Sequence, residues 1–211
     1  LVEIVTEPDF DNAKDVKAYL QKLQQIVRYL GVSDADMEKG QMRLEPNISI
    51  SVSNEKLDKI TGRKLLPDYR VEVKNINSFK FAQEAINYEI ERQSELLRKR
   101  QKITQETRRW DENKKITYTQ RVKEEAKDYR YFPEPDIPPL YISEQEISKL
   151  KKSLPLLPEE RILKYEKLGL SKIKSVALVN DLNNNYFFER VIGENNFNQE
   201  EIIQIANQII N

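Results

Sequence analysis

The chain has 211 residues, enough for one large or two modest domains, and its 35 basic side chains balance 35 acidic ones. With no net charge, any contact with a polyanion must be a local patch. The absence of both Cys and His excludes a disulfide framework, thiol catalysis, a Ser-His-Asp triad and imidazole metal ligation. Chemistry is left to carboxylates, Lys, Arg, Tyr and amides. No apolar run approaches the roughly 20 residues of a membrane span.

Leu1 to Thr6 (LVEIVT) reads as a short buried strand ending at Glu7-Pro8-Asp9. It is too short for a signal peptide, lacks a basic start and is not preceded by Met, so an internal fragment of a longer protein is expected. Asp11 or Asn12 caps the next helix. There Val16, Tyr19, Leu20, Leu23, Ile26, Val27 and Leu30 recur at helical spacing, and Gly31 stops the run. Ser33 to Lys39 follows as a turn or short helix.

Gln41 to Phe79 carries the most informative pattern. Met42, Leu44, Ile48, Ile50 and Val52 share one parity, and Arg43, Glu45, Asn47, Ser49 and Ser51 the other. After a loop over Ser53 to Asp68, Tyr69, Val71 and Val73 alternate with Arg70, Glu72 and Lys74, and Asn75 follows. Period two predicts two strands, each with one apolar and one polar face. Two carboxylates, each near a base and an amide on neighbouring strands, suit a divalent cation and the phosphates around it. A solvated sheet face is the other reading of the same residues.

Asn77 or Ser78 caps a second long helix, whose buried side is marked by Phe79, Ala82, Ile86, Ile90 and Leu97. It closes with Arg98, Lys99, Arg100 and Lys102, cations that complement a helix C-terminus or meet a phosphate. Ile103 to Trp110 and Lys115 to Val122 predict a hairpin turning at Asp-Glu-Asn-Lys. Asp128 to Tyr141 (DYRYFPEPDIPPLY) is too rich in proline for a helix or a central strand, and either lines a site or pins a crossover. From Ser143, which forms a capping box with Glu146, the pattern is helical throughout. Helices are predicted near Glu159–Leu168, Lys172–Asn180, Asn184–Ile192 and Gln199–Ile210. A domain boundary is expected near residue 143, giving parts 1–142 and 143–211. Neither a G-x-x-x-x-G-K-[ST] loop nor a G-x-G-x-x-G turn is present.

Five blocks, in order, resemble GatB, the B subunit of the aspartyl/glutamyl-tRNA amidotransferase family. They are LVEIVTEPD, YLGVSDADMEKGQMRLEPNISISV, VEVKNINSFKFAQEAINYEIERQ, QETRRWDE and KDYRYFPEPDIPPLYI. The resemblance covers about residues 1 to 168. It implies an α+β fold: the second half of the family's cradle domain, a mixed, largely antiparallel sheet with long helices, followed by an all-α helical domain. It also implies that a longer N-terminal part, holding a Glu and a His that help bind metal, precedes this stretch in the family.

The implied activity is that of a carbon–nitrogen ligase working as one part of a complex. It uses ATP and Mg²⁺ to phosphorylate, then amidate, Glu-tRNA(Gln) or Asp-tRNA(Asn). Ammonia comes from the glutaminase partner GatA, and GatC completes the complex. The resemblance carries metal ligation to Glu3, Glu45 and Glu72, and implies catalytic roles for Glu72, Glu45 and Lys74. Proximity in sequence makes Arg43, Lys74 and Asn75 phosphate or substrate neighbours, and Arg108 and Arg130, in ETRRW and DYRYF, are further binding candidates for which a structural salt bridge is the other reading. Arg43-Leu44-Glu45-Pro46-Asn47 stands where the family reads Arg-x-Asp-Ala-Asn, so Glu45 replaces an Asp. A bacterial cytoplasmic location is implied, or an organellar matrix in a eukaryote. The archaeal relative GatE shares the cradle but inserts a domain for which PPLYIS leaves no room. A non-enzymatic RNA-binding protein would carry a basic surface or a stacking platform.

Overall fold

The computed structural model describes residues 1–51, 65–122 and 135–211. The chain forms two compact units, one of residues 1–21 and 36–132, the other of residues 22–35 and 133–211. Helix α1 (Ala13–Tyr29) contributes residues to both. Its first turn is capped by Asn12, whose Oδ1 accepts from the Asp15 N–H at 2.9 Å. Gly31, at φ +65°, follows its end.

The first unit holds a four-stranded sheet: β1 (Asn47–Ile48), β2 (Val71–Lys74), β3 (Glu106–Asp111) and β4 (Ile116–Val122), in that spatial order. β1 and β2 pair antiparallel, as do β3 and β4, whereas β2 and β3 run parallel. The parallel pair needs a crossover, and helix α2 (Phe79–Arg98) supplies it. Ser78 caps that helix by accepting from the Phe81 N–H at 3.0 Å. Val71 and Val73 are fully buried and share a core with Ala82, Ala85 and Ile86 of α2, with Leu44, Ile48, Ile76 and Trp110 around them.

Two expected strands differ from the sequence reading. Leu1 to Thr6 forms no strand and is exposed along its length. An apolar extended segment becomes a strand only where another edge accepts its ladder, and among the described residues none pairs with it. The run from Met42 narrows to Asn47–Ile48 plus a single bridge from Leu44 to Ile76. Pro46 has no N–H to offer the ladder, although its carbonyl still accepts from the Val73 N–H at 2.9 Å. The reading of the Ser53–Asp68 loop falls largely outside the described residues, as does half of that of Asp128–Tyr141.

α2 also buries polar side chains. Glu89 and Gln93 are fully enclosed on the face that meets the sheet. Glu89 accepts from Arg92 at 2.8 Å and from Gln93 at 2.9 Å, and the Thr117 hydroxyl of β4 donates to it as well. Arg108 of β3 lies 3.1 Å from Glu89 and donates to Glu106 at 2.8 Å and to the Thr117 hydroxyl at 2.7 Å. Burial pushes the Glu89 carboxyl up, but these donors and the Arg92 charge outweigh it and hold the group below the usual carboxylate range.

The second unit is helical: α3 (Glu144–Ser153), α4 (Pro158–Lys167), α5 (Lys172–Asn180), α6 (Leu182–Glu194) and α7 (Gln199–Ile210). Tyr165, Leu178, Val179, Phe188 and Ala206 form its centre and are fully buried. The helix starts are encoded locally: Ser143 and Asn198 form capping boxes, and Ser171 and Asp181 each accept from a first-turn N–H. Gly169 turns the chain between α4 and α5 at φ +96°. A Cβ there would collide with the Gln199 side chain. The Arg161 guanidinium lies over the Tyr29 and Tyr186 rings, at 5.2 and 5.8 Å, and donates to Asn185 at 2.9 Å.

Candidate functional site

Alternation along β2 sends Val71 and Val73 into the core and leaves Glu72 and Lys74 on the opposite face. In register, Glu72 lies opposite Asn47 of β1 and Thr107 of β3, and Lys74 lies opposite Arg109. Glu45 enters just before β1. Lys74 Nζ lies 3.1 Å from Glu45 Oε2 and 3.6 Å from Glu72 Oε1. Thr107 Oγ1 donates to Glu72 Oε2 at 2.9 Å. The cluster is graded in exposure: the Glu72 side chain is 15% exposed, Lys74 35% and Glu45 44%. The hydrogen bond to Glu45 raises the Lys74 ammonium above its ordinary range, burial works against this, and the Glu72 charge adds to the rise.

Asn75 closes the strand at φ +65°, a left-handed conformation that Asn adopts more readily than most residues. Its amide donates to the Trp110 carbonyl at 3.0 Å, and Arg109 approaches its Oδ1 at 3.5 Å. Asn75 and Arg109 thereby border the acid–lysine cluster.

The other candidates are placed differently. Arg108 points to the α2 side of the sheet, into the Glu89 network, and is 8% exposed. Arg43 is exposed on the segment before β1, and Glu3 is exposed in the extended N-terminal residues. Among the described residues no group of three or more acidic, His or Cys side chains gathers as a metal site, so Glu3 does not complete a set with Glu45 and Glu72. Arg130 lies outside the described residues. Thr107 and Arg109 escaped the sequence reading. The register of β3 against β2 is what selects them, and Glu-Thr-Arg-Arg does not reveal which parity faces Glu72.

Two carboxylates on neighbouring segments converge on one cationic group, the Lys74 ammonium. Mg²⁺ is usually held by one or two carboxylates together with substrate phosphates, and Glu45 and Glu72 meet that requirement. Lys74 and Arg109, paired in register, add positive charge beside the two carboxylates.

Taken together, fold and cluster define an α+β domain with a charged site on the sheet face opposite α2. Comparison with known proteins places it further. The chain belongs to the GatB/GatE catalytic domain family, whose model matches residues 1–148. It is 48% identical over 212 residues to the aspartyl/glutamyl-tRNA(Asn/Gln) amidotransferase B subunit of Persephonella marina, covering 100% of this chain and 42% of that protein. Proteins of the same name from Thermosipho melanesiensis and Thermotoga maritima are each 44% identical. They match 92% and 91% of the chain, and 39% and 38% of their own lengths. The chain thus spans about two-fifths of the length of these relatives.

Proposed function

We propose that the protein containing this chain is the component of a tRNA-dependent amidotransferase that activates and amidates an amino acid already attached to tRNA. A side-chain carboxylate is a poor electrophile. Its oxygen attacks the γ-phosphorus of ATP and ADP leaves, giving an acyl phosphate. Ammonia then attacks the carbonyl carbon and inorganic phosphate departs, leaving the amide of Gln-tRNA(Gln) or Asn-tRNA(Asn). The observation that carries this reading is the acid–lysine cluster of Glu45, Glu72 and Lys74, set on the sheet face opposite α2 and within the family match.

Glu45 and Glu72 would hold Mg²⁺, which would supply the charge neutralisation that phosphoryl transfer needs. Lys74 and Arg109 orient phosphate oxygens from the protein side, and Asn75 anchors the turn that presents them. Arg43, on the exposed segment beside Glu45, is assigned to substrate. In this reading residues 1–142 make the catalytic part and 143–211 the helical part, with the amidotransferase proteins GatA and GatC and a mischarged tRNA as partners. The names of the relatives support the substrate class, since each is the B subunit of an aspartyl/glutamyl-tRNA(Asn/Gln) amidotransferase. The reaction is assigned to the bacterial cytoplasm, or to an organellar matrix if the source is eukaryotic.

The test is Glu72→Gln in the full-length protein within its assembled enzyme. The amide keeps the shape and loses the charge. Amidation should fall by about 10²-fold or more, the scale of losing one contact to developing charge, while glutamine hydrolysis continues. Near-normal amidation would refute the reading.

A further inference from the structure

We propose that Thr107 is a positioning residue for Glu72, presenting one carboxylate oxygen to the divalent cation that Glu45 and Glu72 would hold; this rests on the function proposed above. Thr107 is 1% exposed on β3, directly across the parallel ladder from Glu72. Its hydroxyl donates to Glu72 Oε2 at 2.9 Å, while Oε1 is the oxygen that lies 3.6 Å from Lys74. The two oxygens are thereby differentiated: one is held by the strand behind it, and the other is turned to the cationic side.

The choice of Thr suits the task. The final torsion of a glutamate is broad and roughly two-fold, so the backbone alone does not fix which oxygen faces outward. A β-branched side chain has a stiff first torsion, which makes the Thr107 hydroxyl a donor fixed in space. The parallel register sets Thr107 beside Glu72 just as it sets Arg109 beside Lys74. Hydrogen-bonding partners of metal-binding carboxylates commonly change metal affinity or activity by about 10- to 100-fold when removed.

The experiment compares parent, Thr107→Val, Thr107→Ser and Glu72→Gln in the full-length protein within its assembled enzyme. Mn²⁺ alone, without ATP or tRNA, is titrated against each and followed by the electron paramagnetic resonance signal of the free ion. The KM for ATP and kcat are measured alongside. Thr107→Val should weaken Mn²⁺ binding by about tenfold or more, and Thr107→Ser should stay within about threefold of parent. If Thr107→Val does not fold, Thr107→Ala is read in its place. Parent-like Mn²⁺ binding by the hydroxyl-free variant, with binding lost in Glu72→Gln, would overturn the role of Thr107 and leave the proposed function standing. Equal losses in the Val and Ser variants would also overturn it, since the hydroxyl would then not be the cause. If Glu72→Gln binds Mn²⁺ and amidates as the parent does, the function proposed for the site fails first.

Discussion

Replacing Arg108 with Met tests whether the buried network holds the first unit together. The guanidinium donates to the Thr117 hydroxyl at 2.7 Å, the Thr117 carbonyl at 2.8 Å, Glu106 at 2.8 Å and Thr119 at 2.9 Å, and it pairs with Glu89 at 3.1 Å. The side chains of Arg108 and Glu89 are 10% and 0% exposed, so solvent screens their interaction little. Removing one member of a buried pair typically costs about 3–5 kcal/mol, because the other charge is left without compensation. Here Glu89 keeps Arg92 at 2.8 Å. That retained partner argues for the lower end, about 3 kcal/mol. With a urea slope of about 2 kcal/mol/M, the unfolding midpoint should fall by about 1.5 M. Trp110 is the only tryptophan, is 2% exposed and lies on the same strand, so its fluorescence reports this unit. A midpoint within about 0.3 M of the parent, at unchanged slope, would refute the argument and reopen Arg108 as a substrate-binding candidate.

Acid should expose the same network. Glu89 is depressed in the folded state, so its contribution is fully present above the unfolded carboxylate range, roughly 4.3, and is lost as pH falls through the folded value. Urea midpoints of the parent should therefore drop more steeply below pH 5 than those of Glu89→Gln; parallel curves would contradict the assignment. At the site, Glu45→Asp should stay within about tenfold of parental amidation, or roughly 1.4 kcal/mol. Glu45 is 44% exposed, with room for the shorter side chain to adjust. A loss of several orders of magnitude would mean that the segment is fitted to Glu.

Features encoded over short distances were legible in the sequence. α5 and α7 begin and end where their patterns predict, because Ser171 and Asn198 cap them within three residues. The alternation Val71–Lys74 assigned Glu72 and Lys74 to the face away from the core, and Glu45 joined them through the antiparallel pairing. Features that depend on a distant partner were not legible. Glu89 occupies a helix position that a charged residue normally gives to solvent; Arg92 and Gln93 on the next turn meet part of its need, and the rest comes from Arg108 and Thr117, far along the chain. The apolar composition of Leu1–Thr6 suggests a strand, but composition supplies no neighbouring edge. Thr107 required knowledge of which way β3 faces.

That orientation follows from an unusual strand. Through Glu106, Thr107, Arg108 and Arg109, β3 shows no apolar alternation, so the rule that ordinarily fixes strand alignment has nothing to act on before Trp110. Charge joins Trp110, buried on the same parity as Arg108, in the aligning. A slip by one residue would turn Arg108 outward and carry Thr107 and Arg109 across to the α2 side, leaving Glu89 enclosed against a mismatched partner. The ion pair beneath the sheet therefore acts as a ratchet stop for the surface above it. Whether Thr107 and Arg109 stand beside Glu72 and Lys74 is decided on the α2 side of the sheet.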